Sequence, residues 1–84
     1  MGYFVYILLC GDGTLYTGTA RDVPRRAEAH NRGKGAKYTR SRLPVEVVYV
    51  EAAADRAAAL RREIENKRLT RREKLDLIEK RKSE

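Results

Sequence analysis

Along the first twenty residues the apolar positions form one unbroken run and then, past a glycine-flanked break, a shorter mixed stretch. Tyr3 to Cys10 (Tyr-Phe-Val-Tyr-Ile-Leu-Leu-Cys) is rich in β-branched and aromatic types and predicts a strand. Gly11-Asp12-Gly13 interrupts the run, and Thr14-Leu15-Tyr16-Thr17-Gly18 predicts a second strand. A three-residue loop ending in glycine is the common type I turn with a bulge, Gly13 taking the left-handed conformation. With Cys10 opposite Thr14, Leu8 faces Tyr16, and Tyr6, Leu8 and Tyr16 share one face of the hairpin. Tyr6 and Tyr16 are then diagonal neighbours about 7–8 Å apart. A one-residue slip of register would destroy that arrangement.

Beyond the hairpin the period changes. Asp22 can cap a helix from about 23 to 32, with Pro24 in the first turn, where a missing N–H costs little. At 100° per residue Val23, Arg26, Ala27 and His30 fall on one stripe, while Arg25 and Glu28 point elsewhere. Two polar residues on an apolar stripe are unusual for a plain surface helix. Asn31 to Pro44 reads as a loop, and Val45 to Glu51 as a third strand. Asp55 caps a second long helix whose expected inward stripe is Ala57, Leu60 and Ile64. Thr70-Arg71-Arg72-Glu73 is a capping box that starts a final helix to about residue 81. The order is β-β-α-β-α-α. Because 84 residues are too few for two self-stabilising cores, residues 1–84 are expected to form a single α/β (α+β) domain.

Charge sharpens this picture. The net charge is +7 and unevenly placed: residues 1–44 carry eight Lys/Arg against three acids, and residues 45–84 carry eleven against nine. The first half therefore holds the excess that can meet a polyanion, while the second half is largely self-compensating. Nucleic acid is the leading partner class; an anionic membrane surface or an acidic protein would meet the same charge. Cys10 is the single cysteine, which excludes an intramolecular disulfide and a cysteine-based zinc site. The one apolar run, Phe4 to Cys10, is far too short to span a bilayer and lacks the flanks of a secretory signal. A cytoplasmic, unprocessed protein with no membrane partner is expected.

Tyr6 and Tyr16-Thr17-Gly18 on a hairpin, followed by an arginine and a histidine one helical turn apart, resemble the GIY-YIG nuclease family. The first signature tripeptide stands here as Phe4-Val5-Tyr6 and the second as Tyr16-Thr17-Gly18. By the resemblance, the catalytic arginine ten residues after the second tyrosine is Arg26 and its histidine partner is His30. The metal-binding glutamate on the helix after the third strand is best matched by Glu63. The stretch from His30 to Thr39 looks especially like the small stand-alone bacterial members. Two departures stand out: Thr19 occupies a position where some relatives have lysine, and Asn66 is the only candidate for a downstream asparagine of longer members. The resemblance implies a small three-stranded antiparallel sheet flanked by helices. It also implies an endonuclease dependent on Mg²⁺ or Mn²⁺ that hydrolyses phosphodiesters in DNA, with branched or damaged sites and DNA repair as the expected setting and RNA as a further substrate class. The alternative is a nucleic-acid-binding module that keeps the nuclease fold with little turnover, or turnover only with a protein partner.

Phosphodiester hydrolysis needs a deprotonated water, neutralisation of the phosphorane and stabilisation of the leaving oxygen. Glu63 could hold one hard cation, the remaining ligands being water and substrate oxygens. Arg26 could contact the scissile phosphate through its planar fork. Either Tyr6 or Tyr16 could take the water's proton, given neighbouring positive charge to lower a pKa that starts near 10. His30 would position the tyrosines or the substrate. Plainer roles exist for each: tyrosines that pack, an arginine that snorkels, a histidine at a helix end, and a Glu63–Lys67 pair at i,i+4. Arg32, Lys34, Lys37, Arg40 and Arg42, with Thr39 among them, suit phosphate tracking, and Tyr38 could stack on an unpaired base. No base-reading pattern is visible, so backbone or structure selectivity is expected.

Overall fold

A continuous apolar strand with no polar alternation must be covered on both faces, and the first strand is. The computed structural model describes residues 2–82. Strand β1 (Tyr3–Leu9) is the middle of a three-stranded antiparallel sheet of order β2-β1-β3, between β2 (Leu15–Ala20) and β3 (Glu46–Ala53). Val5 to Leu8 are all buried. The hairpin register is the expected one: Leu8 pairs with Tyr16 and Tyr6 with Gly18, while Gly13 has φ +85°. Both outer strands run further than their patterns indicated, to Ala20 and Ala53. On β3 a register shift beside Ile7 and Leu8 leaves Val48 unmatched.

One face of the sheet carries Tyr6, Leu8 and Cys10, packed with Val23 and Val45. Helix α1 (Val23–Asn31) lies on this face. The Asp22 carboxylate accepts from the Arg25 N–H at 3.1 Å, and Pro24 sits in the first turn. Val23 and His30 are buried, Arg26 and Ala27 half-buried, and Arg25 and Glu28 exposed, as the stripe requires. The opposite face carries Ile7 and Tyr49 against Ile78 of α4 (Arg71–Lys82). The reciprocal Thr70–Glu73 hydrogen bonds, 2.8 and 3.1 Å, start α4.

Two expectations need correction. The segment 31–44 is not all loop, because Lys37–Arg40 forms the one-turn helix α2. No apolar periodicity announces it; its buried residue is a threonine, Thr39. The second error concerns α3 (Arg56–Lys67). Asp55 caps it as expected, accepting from the Ala58 N–H at 2.8 Å, but its inward stripe is not Ala57, Leu60 and Ile64. All three are exposed, Ile64 at 54%. The inward face is Ala59, Arg62, Glu63 and Asn66. Polar partners on the sheet reverse the usual preference: Arg62 pairs with Glu51 at 2.8 Å, and the Thr17 hydroxyl donates to Asn66 Oδ1 at 2.7 Å. The helix is docked by polar contacts to the sheet, so hydropathy alone turns it the wrong way.

Candidate active site

The Tyr6 ring lies across β2 above Gly18, its register partner. A Cβ at position 18 would fall 2.5 Å from the Tyr6 hydroxyl and 3.2 Å from Tyr16 Cε2, so only glycine leaves this space. From α1, His30 reaches the same point, with Nε2 3.0 Å from the Tyr6 hydroxyl. The His30 ring meets both tyrosines edge-on, with centroids 6.1 Å from Tyr6 and 5.4 Å from Tyr16. Its other nitrogen, Nδ1, is 2.8 Å from Thr39 Oγ1. Tyr6, His30 and Thr39 are each essentially excluded from solvent.

Electrostatics tie in the remaining residues. Burial raises the Tyr6 pKa above the ordinary tyrosine value; the Arg26 guanidinium beside it pulls the other way, and Tyr16 and Glu63 add to the rise. Arg26 and Glu63, from different helices, thus pull the Tyr6 pKa in opposite directions. The net direction is opposite to the lowering that a standing phenolate would need. His30 is held below its ordinary pKa, by burial first and by Arg26 second, so a neutral imidazole faces Tyr6 at neutral pH.

The Glu63 side chain is 18% exposed and pairs with Lys67 at 3.3 Å. Among the described residues there is no group of three or more His, Cys, Asp or Glu side chains that could hold a metal ion. Glu63 is therefore a single-carboxylate donor. That set fits a hard divalent cation whose other ligands are water and phosphate oxygens, and it does not fit zinc. Asn66 is fully buried on Thr17 and stands away from this chemistry.

The expected nucleic-acid loop divides into two parts. Lys34, Lys37 and Arg40 are exposed with no ion-pair partner among the described residues, and Arg32 has only an exposed pair with Glu28 at 3.4 Å. Thr39 and Arg42 are placed otherwise. Thr39 has 0% exposure and its hydroxyl is occupied inside the site, so it presents nothing to a ligand. Arg42 is 3.9 Å from the Tyr38 ring centroid, donates to the Tyr38 carbonyl at 2.7 Å and pairs with Asp12 at 3.0 Å. Tyr38, 39% exposed, also stacks on Tyr16 with centroids 5.8 Å apart. Sequence reasoning missed the Thr39–His30 contact, which has no periodic signature. It also missed Arg21 and Arg25, which line a recess with Arg26; their signal was the basic excess of the first half.

A hairpin carrying Tyr6 and Tyr16, a helix carrying Arg26 and His30, and Glu63 on a later helix follow the order of the GIY-YIG pattern. The model of the GIY-YIG catalytic domain matches residues 2–76, and the chain belongs to the GIY-YIG nuclease family. It is 56% identical over 79 residues to a UPF0213 protein of Staphylococcus aureus, covering 94% of this chain and 96% of that one. Among solved structures, it resembles the UPF0213 protein of Bacillus halodurans with a TM-score of 0.60 and 48% identity, covering 94% of this chain and 84% of that one. It also resembles a protein from E. faecalis with a TM-score of 0.66 and 36% identity, covering all of this chain and 90% of that one. The family implies a nucleic-acid substrate. No helix among the described residues is long and apolar enough to cross a membrane.

Proposed function

We propose that the protein is a cytoplasmic, metal-dependent endonuclease that hydrolyses phosphodiester bonds in DNA, with branched or damaged sites in DNA repair as its substrates. The observation that carries this reading is the 3.0 Å contact between the Tyr6 hydroxyl and His30 Nε2. Arg26 holds the scissile phosphate and offsets its developing charge. Tyr6 takes the proton of the attacking water while passing its own to His30, so no standing phenolate is needed. Tyr16 packs beside this pair and orients the substrate. Glu63 would hold a Mg²⁺ or Mn²⁺, which supplies further neutralisation at the phosphorane and the leaving oxygen.

A binding module with the nuclease fold is the second reading. The Lys67 ammonium on Glu63 favours it, since that pair competes with a cation for the carboxylate. Incubation with plasmid, flap and branched DNA, and with RNA, each with and without Mg²⁺ or Mn²⁺, separates the two. Divalent-dependent cleavage of any DNA supports the enzyme. Binding without cleavage across the whole panel supports the module.

A further inference from the structure

We propose that Thr39 is a positioning residue: its hydroxyl fixes the His30 proton on Nδ1 and so leaves Nε2 bare to receive the proton of Tyr6. The inference rests on the reading of Tyr6 and His30 as the proton-transfer pair. The assignment follows from counting protons. A threonine hydroxyl has one proton and two lone pairs, and a carbonyl can only accept. Thr39 Oγ1 donates to the Ala36 carbonyl at 2.9 Å, which commits its proton. What Thr39 offers His30, at 2.8 Å, is then a lone pair, so Nδ1 must carry the hydrogen. A neutral imidazole has one N–H. Nε2 is therefore bare, and the bond to Tyr6 runs from the phenol to the ring.

The surroundings support this direction. Among the described residues the Ala36 N–H is the only other group on Nδ1, and at 3.4 Å it is a long, weak donor beside the 2.8 Å contact of Thr39. Its partner would be the opposite tautomer, which requires Thr39 to give up the Ala36 carbonyl. Gly35 lies against the ring and keeps it seated over Thr39. The consequence is chemical. As the water oxygen forms its bond to phosphorus, its proton passes to the Tyr6 oxygen and the Tyr6 proton passes to Nε2. The P–O bond to the leaving oxygen breaks, that oxygen keeps the electron pair and takes a proton from solvent, and the imidazolium keeps Nδ1–H on Thr39. With Nε2–H instead, the ring has no site for the proton of Tyr6.

The chain has one histidine, so ¹⁵N NMR of labelled protein reads this ring without ambiguity. The parent should show the Nδ1–H tautomer at neutral pH, and Thr39→Ser should keep it. Thr39→Val, which matches the shape but lacks the hydroxyl, should shift the ring toward Nε2–H. Under single-turnover conditions with Mg²⁺ and branched DNA, Thr39→Val should cut about 10- to 100-fold more slowly at unchanged DNA affinity, with Thr39→Ser restoring most of the rate. A parent in the Nε2–H form overturns the proposal, whether or not Thr39→Val folds. So does a Thr39→Val protein that keeps Nδ1–H or cuts at the parental rate. If the tautomer depends on Thr39 as stated but the parent cuts nothing, Thr39 keeps its role on His30 and the nuclease reading fails instead.

Discussion

Gly35 lies so close to His30 that a Cβ added to it would fall 2.2 Å from the ring's Nδ1. Backbone, not side chain, walls this side of the imidazole. Replacing Gly35 by alanine should therefore push the ring off Thr39 and Tyr6, costing about 1–3 kcal/mol of stability and most of the cleavage activity. Denaturant unfolding and single-turnover assays of Gly35→Ala check both. Parental values in each would mean that the loop yields and the ring does not depend on it.

The tyrosines should separate in kinetics. Tyr6 bonds to His30, whereas Tyr16 meets His30 and Tyr38 through its ring. Tyr6→Phe should lower single-turnover cleavage by about 100-fold or more, and Tyr16→Phe by much less, both remaining folded. Equal loss in the two variants would give the base role to neither alone.

Glu63 is the clearest test of the metal. A carboxylate that holds a catalytic cation acts chiefly in the transition state, whereas DNA affinity rests on many phosphate contacts. Glu63→Ala should bind branched DNA as the parent does, yet not cut it at any Mg²⁺ or Mn²⁺ concentration. Glu65, with a 66% exposed side chain on another face of α3, is the matched control, and Glu65→Ala should still cut. Cleavage by Glu63→Ala at the parental rate would place the cation elsewhere.

DNA affinity should fall steeply with salt, with a log–log slope of roughly −0.9 per contacted phosphate. Replacing Lys34 and Lys37 together by alanine should flatten that slope by about one to two units, because both are exposed and have no ion-pair partner among the described residues. Arg42→Ala should leave the slope alone and lower stability, since this guanidinium is already held by Asp12 and Tyr38. A slope that responds to Arg42 but not to the lysines would reverse the assignment.

Acid should loosen the α3–β3 junction. Burial raises the Glu51 carboxyl, but the Tyr49 hydroxyl and the Arg62 guanidinium outweigh it, and its pKa in the folded protein is lowered. A carboxylate depressed by folding contributes stability above its unfolded pKa and loses it as pH falls through the folded value. Glu51→Gln should cost about 1–2 kcal/mol at neutral pH, and the difference from the parent should shrink below about pH 4. A gap that stays constant with pH would show that the charge contributes nothing.

What the sequence made legible follows from where its signals come from. The hairpin register could be read because Gly13 fixes the turn and the pairing of Leu8 with Tyr16 follows from it by counting. The α1 stripe could be read because Val23 and Ala27 accompany Arg26 and His30 on one face. The face of α3 could not, since Arg62 and Asn66 are buried by partners on distant strands that hydropathy does not weigh. Thr39 reads as one of a surface group of cations for the same reason. A small hydroxyl residue in a basic, glycine-rich segment carries no mark of the histidine nine positions earlier.

The contacts from Asp12 to Arg42, Arg42 to Tyr38 and Tyr38 to Tyr16 close a circuit, for they begin at the tip of the hairpin and return to its second strand. The basic segment is thereby held at Arg42 by the turn and at Thr39 by the imidazole. Such a doubly anchored loop has lost its freedom before any nucleic acid arrives. If this segment binds nucleic acid, association should then carry little ordering cost in it. Arg42, held by Asp12 and Tyr38, would then serve to fix the segment rather than to touch phosphate.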